Sequence, residues 1–300
     1  MVGYQSIFRP SLFNGQQIII TGGGSGIGRC TAHELASLGA NLILIGRNED
    51  KLKQVTEEIK ADNQNTGQNN EVHWYSADIR DEERVCELIT DIVKNHGRIH
   101  GLVNNAGGQY PTLLENTSKN GFRAVVENNL TGGFLFARET FKQSMKAHGG
   151  AIVNITADCT NGIPGLGHTG AARAGMENLT KTAAWEWGRY GVRVNALAPG
   201  IVASSGLSSY PQEFHQRILS MGEYVPLHRL CTEAEVSAGI VFLLSPGAAY
   251  INGTTLHIDG GGQFGSSHMY LPLPETDLDH AEIFDGFHRS NFDGIVNGEA

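Results

Sequence analysis

Three groups of residues in this 300-residue chain have types and spacings that can do chemistry. The first is "TGGGSGIG" (21–28), in which Gly22, Gly26 and Gly28 follow T-G-x-x-x-G-x-G spacing around Ser25 and Ile27. A glycine-rich turn entering a helix brings backbone N–H groups to phosphate oxygens, and the helix N-terminus favours their negative charge. Ile27 stands where a G-x-G-x-x-G run has its last glycine, so the turn is not that common fingerprint. The second group is "IGRN" (45–48). Gly46 takes the place of the acid that holds a ribose hydroxyl in NAD sites, and Arg47 follows it. A guanidinium there clasps a 2′-phosphate that a carboxylate would repel, which makes NADP the expected cofactor. The third group is "GHTGAARAGMENLTK" (167–181), where His168, Thr169 and Arg173 offer hydrogen-bond donors.

These residues need a scaffold, and the chain supplies an alternation of apolar runs and helical segments. Strands are predicted at 16–21, 41–46, 71–76, 101–105, 151–156, 192–198 and 254–259, with helix-period segments at 27–39, 48–62, 80–97 and 121–150. Strand–helix alternation with nearly all-apolar strands predicts an α/β fold, a seven-stranded parallel sheet wrapped by helices on both faces. Asp78 and Ile79 follow the third strand, where Asp78 can accept from an adenine amine. Asn105, Ala106 and Gly107 follow the fourth and permit close backbone approach. Two stretches break the rhythm: a polar loop at 63–70 and a Pro-, Gly- and acid-containing tail after Asp259. We expect one domain over 1–262 and an extension over 263–300 that lies on the surface or on a neighbouring subunit.

The balance of 22 basic and 31 acidic residues gives a net charge of -9, which argues against nucleic-acid and membrane-surface partners. Cys30, Cys86, Cys159 and Cys231 form no C-x-x-C pair, so no zinc framework or disulfide is expected and a reducing compartment is the default. No histidine pair has H-E-x-x-H spacing, and no metal is expected, even at His280 and His288 in the tail. Neither a signal pattern nor a membrane-length apolar run is visible, and the last residues, "NGEA", are not an S-K-L-type address. A cytoplasmic protein is expected.

The ordered set "TGGGSGIG", "NNAG", Asn129 in "VENNLTG", "IVNIT" and "VNALAPG" resembles the short-chain dehydrogenase/reductase family from about residue 16 to 261. The resemblance implies a Rossmann-like doubly wound sheet, a nicotinamide cofactor and hydride transfer. It also implies that Pro199, Gly200, Val202 and Ser204 flank the nicotinamide, that Asn129 binds backbone and an ordered water, and that the protein is a homotetramer joined through helices near 118–147 and 169–188. Ordinary members carry a Tyr-x-x-x-Lys pair and an upstream serine; here those positions fall on Thr169, Arg173 and Ala157. Ketone reduction is served by an acid placed at the new alkoxide, and neither threonine nor arginine supplies one. An enoyl thioester instead needs donors for the charge that builds on its carbonyl oxygen.

The wording "HTGAARAGMENLTKTAAWEWG" is similar to the peroxisomal trans-2-enoyl-CoA reductases, with the 2,4-dienoyl-CoA reductases as relatives. This implies NADPH-dependent reduction of an enoyl-CoA, with Thr169, Arg173, Asn129 and His168 as the catalytic set. Two other readings stay open: a carbonyl reductase or alcohol dehydrogenase whose acid is His168 or Tyr110, and an NADP-binding protein without catalysis. Tyr110, Asp158 and Leu207 are candidate substrate contacts. Leu207, Phe214, Ile218, Leu219 and Met221 in the segment 204–230 suit either a lid over an acyl chain or helices packed on the core. Lys181 is expected to be solvated or paired with Glu177 at i,i+4 spacing.

Overall fold

The aliphatic runs Ile18-Ile19-Ile20 and Leu42-Ile43-Leu44-Ile45 are buried at every position, as suits strands covered on both faces. The computed structural model describes residues 3–205, 207, 220–264 and 282–289. In chain order the strands are β1 (Gln17–Thr21), β2 (Asn41–Gly46), β3 (Val72–Ser76), β4 (Gly101–Asn104), β5 (Gly150–Ile155), β6 (Val192–Pro199), β7 (Val202–Ala203), β8 (Cys231–Thr232) and β9 (Thr255–Ile258). Seven of them form one parallel sheet in the order β3-β2-β1-β4-β5-β6-β9, and β7 pairs with β8 in a separate two-stranded ladder. The seven-stranded, doubly wound expectation holds. The β7–β8 ladder escapes a reading by apolar runs because each strand has only two residues.

Helices α1 (Gly26–Ser37) and α2 (Glu49–Thr66) follow the first two strands, and α3 (Glu82–His96) follows the third. A long rod follows β4. It runs through α4 (Lys119–Val126), a π-turn (Glu127–Thr131), α5 (Gly132–Thr140), a second π-turn (Phe141–Met145) and α6 (Lys146–His148). Helix α7 (Gly167–Gly188) precedes β6, and α8 (Glu233–Leu244) precedes β9. One apolar layer joins Ile18, Ile20 and Leu44 to Leu35 of α1 and Val236 and Ile240 of α8. The other joins Ile19 and Ile43 to Leu88 and Ile92 of α3 and Phe136 of α5. Each such side chain contributes about 1.5–3 kcal/mol on burial, so the sheet is clamped between two cores. The order of strands reverses between β1 and β4, and crevices outside the carboxyl ends of such strands are where ligands bind. Among the described residues no helix is long and apolar enough to cross a membrane.

The structure corrects the polar loop at 63–70. Helix α2 runs on to Thr66 and ends at Gly67, whose φ of 72° suits glycine. The extension is anchored where periodicity does not show it. Asp62 is buried against His33 of α1 and Arg289, and the Asn63 amide donates to Asn70 O at 3.2 Å. Residues 282–289 lie on this chain's own body. Gly286 O accepts from Gln5 N, and Arg289 grips Asp62 at 2.6 and 3.1 Å. Phe287 is 2% exposed beneath Tyr4, His33 and the Arg29 guanidinium. Replacing this ring, Phe287→Ala, is expected to cost about 3–5 kcal/mol, read as a lower denaturation midpoint. An unchanged midpoint would show that 282–289 does not belong to the packed body.

Candidate active site

The glycine-rich turn is shaped by contacts that exclude side chains. Gly22 has φ 69°, and a Cβ there would lie 2.8 Å from the Asn105 amide nitrogen. A Cβ on Gly28 would run into the Gly22 carbonyl, so only glycine lets the helix close on the turn. Ser25, extended at φ -162°, precedes α1 and makes no side-chain cap bond. The first-turn N–H groups of α1 are therefore left for another acceptor. Ile27 instead turns its side chain to the core. Asn105 clamps the loops: its side chain donates to Thr21 O at 3.0 Å, and the backbone N–H groups of Asn105 and Ala106 donate to Thr21 Oγ1 at 3.0 Å each. Such a turn, with free donors at a helix start, fits the phosphates of a dinucleotide.

Beyond the glycine turn, Arg47 is exposed directly after β2. Asn48 caps α2, its side chain accepting from Lys51 N at 3.0 Å. A Cβ on Gly24 would lie 3.1 Å from Lys51 Cβ, so Lys51 joins Arg47 beside the glycine turn. The sequence reading missed Lys51, although its place in the first turn of α2 was visible. Asp78 is held by Arg80, whose Nε lies 2.9 Å from Oδ1, and that grip, with Arg47's charge adding to it, lowers the Asp78 carboxyl to about 2. The Ile79 side chain faces the core against Gly132.

The floor of the crevice is built from the long rod and α7. Asn129 sits in the first π-turn, where its amide nitrogen donates to Gly108 O at 2.7 Å and Val125 O at 2.8 Å. Its Oδ1 accepts from Gly108 N at 3.2 Å. Arg173 donates through Nη1 to Ile155 O at 2.5 Å. A Cβ on Gly107 would lie 2.6 Å from both Arg173 Nη2 and Asn129 Oδ1, so Gly107, Asn129 and Arg173 converge. Arg173 has no ion pair among the described residues, its Nε is without a partner, and burial lowers its pKa to about 10. It remains a cation at neutral pH.

At the start of α7, His168 and Thr169 are both buried. His168 Nδ1 accepts from Thr169 N at 2.8 Å and lies 3.3 Å from Thr169 Oγ1. That bond places the proton of a neutral imidazole on Nε2, which has no partner. The Tyr110 ring covers the imidazole edge-on at 4.7 Å, with its hydroxyl against Gly121 of α4. Asp158 donates its N–H to Pro199 O at 3.3 Å and keeps a buried carboxylate oxygen without a partner. Gly200 passes close to Asp259, where a Cβ would lie 2.9 Å from its Cα. Val202 is buried in β7, and Ser204 O accepts from Leu207 N at 2.9 Å. Phe214, Ile218 and Leu219 lie outside the described residues; Met221 is exposed.

Two acids enter this region unannounced. Glu177 does not pair with Lys181: it accepts from Thr156 Oγ1 at 3.3 Å and from Cys159 Sγ at 3.6 Å. Burial, with the Glu177 charge, pushes the Cys159 thiol up to about 11. Glu177 stands one turn after Arg173, so their common helix face was readable, but its partners come from the β5–α7 connection. Lys181 is exposed. Glu233 begins α8 with Oε1 3.8 Å from where a Gly26 Cβ would lie, and Ser205 Oγ is 3.9 Å from that point. Burial pushes the Glu233 carboxyl up to about 7, against the pull of the Ser205 N–H and the Arg29 charge.

A doubly wound sheet with a phosphate-type turn at the β1/β4 switch point defines a Rossmann-like nucleotide-binding protein. Residues 22–263 match the family profile described as Enoyl-(Acyl carrier protein) reductase. The chain is 36% identical over 247 residues to a probable 2,4-dienoyl-CoA reductase [(2E)-enoyl-CoA-producing] of Bacillus subtilis (strain 168), covering 81% of this chain and 95% of that one. It is also 36% identical over 260 residues to levodione reductase of Leifsonia aquatica, covering 83% and 94%. A solved structure titled citronellol catabolism dehydrogenase (AtuB) of Pseudomonas aeruginosa PAO1 superposes with a TM-score of 0.77 at 53% identity, covering 87% of this chain and all of that one. The chain belongs to the short-chain dehydrogenase/reductase family, whose members are oxidoreductases that use a nicotinamide cofactor.

The raised Glu233 carboxyl fixes the sign of a pH effect. Between the ordinary unfolded value of about 4.3 and the folded value near 7, the folded chain binds a proton that the unfolded chain has lost. Stability therefore falls as pH rises through that window, by about 4 kcal/mol in all. Glu233→Gln is expected to match the parent protein near pH 4.5 and to be more stable above pH 8 in denaturant titrations. Parallel pH profiles for the two proteins would refute the buried, protonated state.

Proposed function

We propose that this chain is an NADPH-dependent reductase of the α,β double bond of a trans-2-enoyl-CoA or a similar enoyl thioester. The observation that carries the reading is the start of α7, where the guanidinium of Arg173, held on Ile155 O, and the hydroxyl of Thr169 stand where a Tyr–Lys pair would be. They offer fixed donors, which suits charge developing on a thioester oxygen and gives little help to a nascent ketone alkoxide. The dienoyl-CoA reductase that the chain resembles supports an acyl-CoA substrate. The cofactor, when bound, supplies the hydride. Gly22, Gly26 and Gly28 with the first turn of α1 would take its pyrophosphate, and Arg47 and Lys51 its 2′-phosphate. His168 and Asn129 complete the polar lining, while Tyr110, Asp158 and Leu207 bound the acyl side.

A second reading is an alcohol dehydrogenase or carbonyl reductase. It is favoured by the titles of the 53%-identical citronellol catabolism dehydrogenase and of levodione reductase, and by the unpartnered Nε2 of His168 beneath Tyr110. On assembly we read a homotetramer, because Leu130, Phe134 and Leu179 line an open apolar groove between the rod and α7, and Trp185 of α7 is 88% exposed. The four cysteines are free thiols, which suits a reducing, cytoplasmic compartment.

Purified protein with NADPH should oxidise the cofactor in the presence of crotonyl-CoA or a longer enoyl-CoA, and only weakly with acetoacetyl-CoA or simple ketones, followed by absorbance. Turnover confined to ketones or alcohols would replace the first reading with the second. Tight cofactor binding without turnover of any of them would leave a non-catalytic NADP-binding protein. Arg47→Ala should weaken NADPH by about 10- to 100-fold, the worth of a charge-assisted contact, and leave NADH nearly unchanged. Equal losses for both cofactors would refute the 2′-phosphate assignment.

A further inference from the structure

A second polar cluster lies at the outer edge of the sheet, at the end of β3 away from the nucleotide crevice. β3 is the edge strand, and its C-terminal Ser76 is the residue in register with Gly46 beside Arg47. Its other end begins beyond Glu71, so the sequence Glu71-Val72-His73-Trp74-Tyr75 sets Glu71, His73 and Tyr75 on one face at strand period. Helix α3 runs back over the sheet and stops at Gly97, which has φ 78°, and so delivers His96 to the same face.

The contacts there are close. The Glu71 carboxylate lies 3.1 Å from His73 Nε2, and the His73 and His96 rings lie 4.3 Å apart, tilted by 40°. One ligand atom from each of Glu71, His73 and His96 falls within 4.8 Å of the other two. Tyr75 Oη binds His96 Nε2 at 2.7 Å, which fixes that ring and leaves Nδ1 for another partner. Neutral imidazole is the form that binds metals.

We propose that Glu71, His73 and His96 form a binding site for a divalent transition-metal ion of the zinc type, with Tyr75 as the residue that orients His96. Two imidazole nitrogens and one carboxylate suit a borderline ion such as Zn²⁺, whereas Ca²⁺ and Mg²⁺ call for all-oxygen sets. Tetrahedral bonds of about 2.0–2.2 Å put ligand atoms roughly 3.4 Å apart, so modest side-chain rotation closes the set around an ion. Water completes the coordination. The ion would tie the edge strand to the end of α3, a stabilising role apart from the reducing chemistry. The ligands come from two stretches, Glu71 with β3 and the end of α3, that only the fold brings together.

The test uses the full-length protein, stripped of metal with a chelator. Titration with ZnCl₂ by calorimetry should show one saturable site, and Co²⁺ should give the visible absorption of a low-coordinate N/O site. His73→Gln and His96→Gln should each abolish both signals while keeping the fold by circular dichroism and keeping oxidoreductase turnover. Tyr75→Phe should retain binding but weaken it about tenfold or more, as losses of ligand-orienting partners do. Saturating Zn²⁺ should raise the melting temperature of the parent protein only. Zinc binding that is equally strong in His73→Gln and His96→Gln, or absent in the parent protein, would overturn the proposal.

Discussion

The crevice depends on one junction, the hydrogen bonds between Thr21 at the end of β1 and Asn105 just past β4. At a switch point the chain leaves adjacent strands in opposite directions, so the gap that binds a ligand is also a gap in the ladder. Thr21 Oγ1 accepts from two successive backbone N–H groups and donates to Val103 O at 3.3 Å, while the Asn105 amide returns to Thr21 O. Buried backbone groups that the sheet no longer satisfies are thereby paired. The Asn105 amide nitrogen also stands where Cβ atoms on Gly22 and Gly28 would go, so the glycines and the asparagine require one another. The residue expected to touch the cofactor thus acts first by setting the shape of the place where it lies.

The second constraint is Arg173. A half-buried guanidinium without a carboxylate is costly, and desolvation moves its pKa down accordingly. The chain keeps the charge by giving it the Ile155 carbonyl and removing side chains around it: Gly107 leaves room for the fork, and the Asn129 carbonyl oxygen stands beside it. The π-turn at Glu127–Thr131 is what brings Asn129 into the crevice, because one widened turn shifts it off the regular helical face. The nearby acid, Glu177, is engaged by Thr156 and Cys159 and does not neutralise the guanidinium. A cation held in place without an internal counter-ion is organised for a ligand's negative charge.

Much of this was legible in the sequence, and the missing parts share a cause. The seven strands, their parallel order and the glycine turn follow from apolar runs and from residues local to one another. Because "NQNT" is polar, the sequence predicts a loop there, whereas Asp62 and Asn63 are held inside by His33, Arg289 and the Asn70 carbonyl, all remote or out of helical period. Of the two expectations for Lys181, the solvated one agrees with its exposure, whereas Glu177 turns inward because the connection after β5 brings it hydroxyl and thiol donors. Glu233, Lys51 and the Glu71–His73–His96 cluster draw meaning only from chain crossings. Periodicity reports which face a residue occupies; it says nothing of what the fold lays against that face.

These crossings also tie the nucleotide turn to the periphery. Helix α1 starts at the phosphate turn, and its far half is locked from three sides. Glu34 accepts from Tyr4 Oη at 3.2 Å, from Ser6 Oγ at 2.8 Å and from Ser237 Oγ of α8. His33 lies between Glu58 and Asp62 of α2 at 3.1 and 3.4 Å, and Phe287 closes over Arg29 and His33. Arg29, which donates to Glu58 at 2.8 Å, stands one residue beyond Gly28. The N-terminal segment, α2, α8 and residues 282–289 therefore converge on the helix whose first turn carries the free N–H groups. A helix end binds an anion only as firmly as its axis is held, since the donors must not turn away when the charge arrives. The packing that looks remote from the crevice is thus part of what holds the glycine turn and the start of α1 in place.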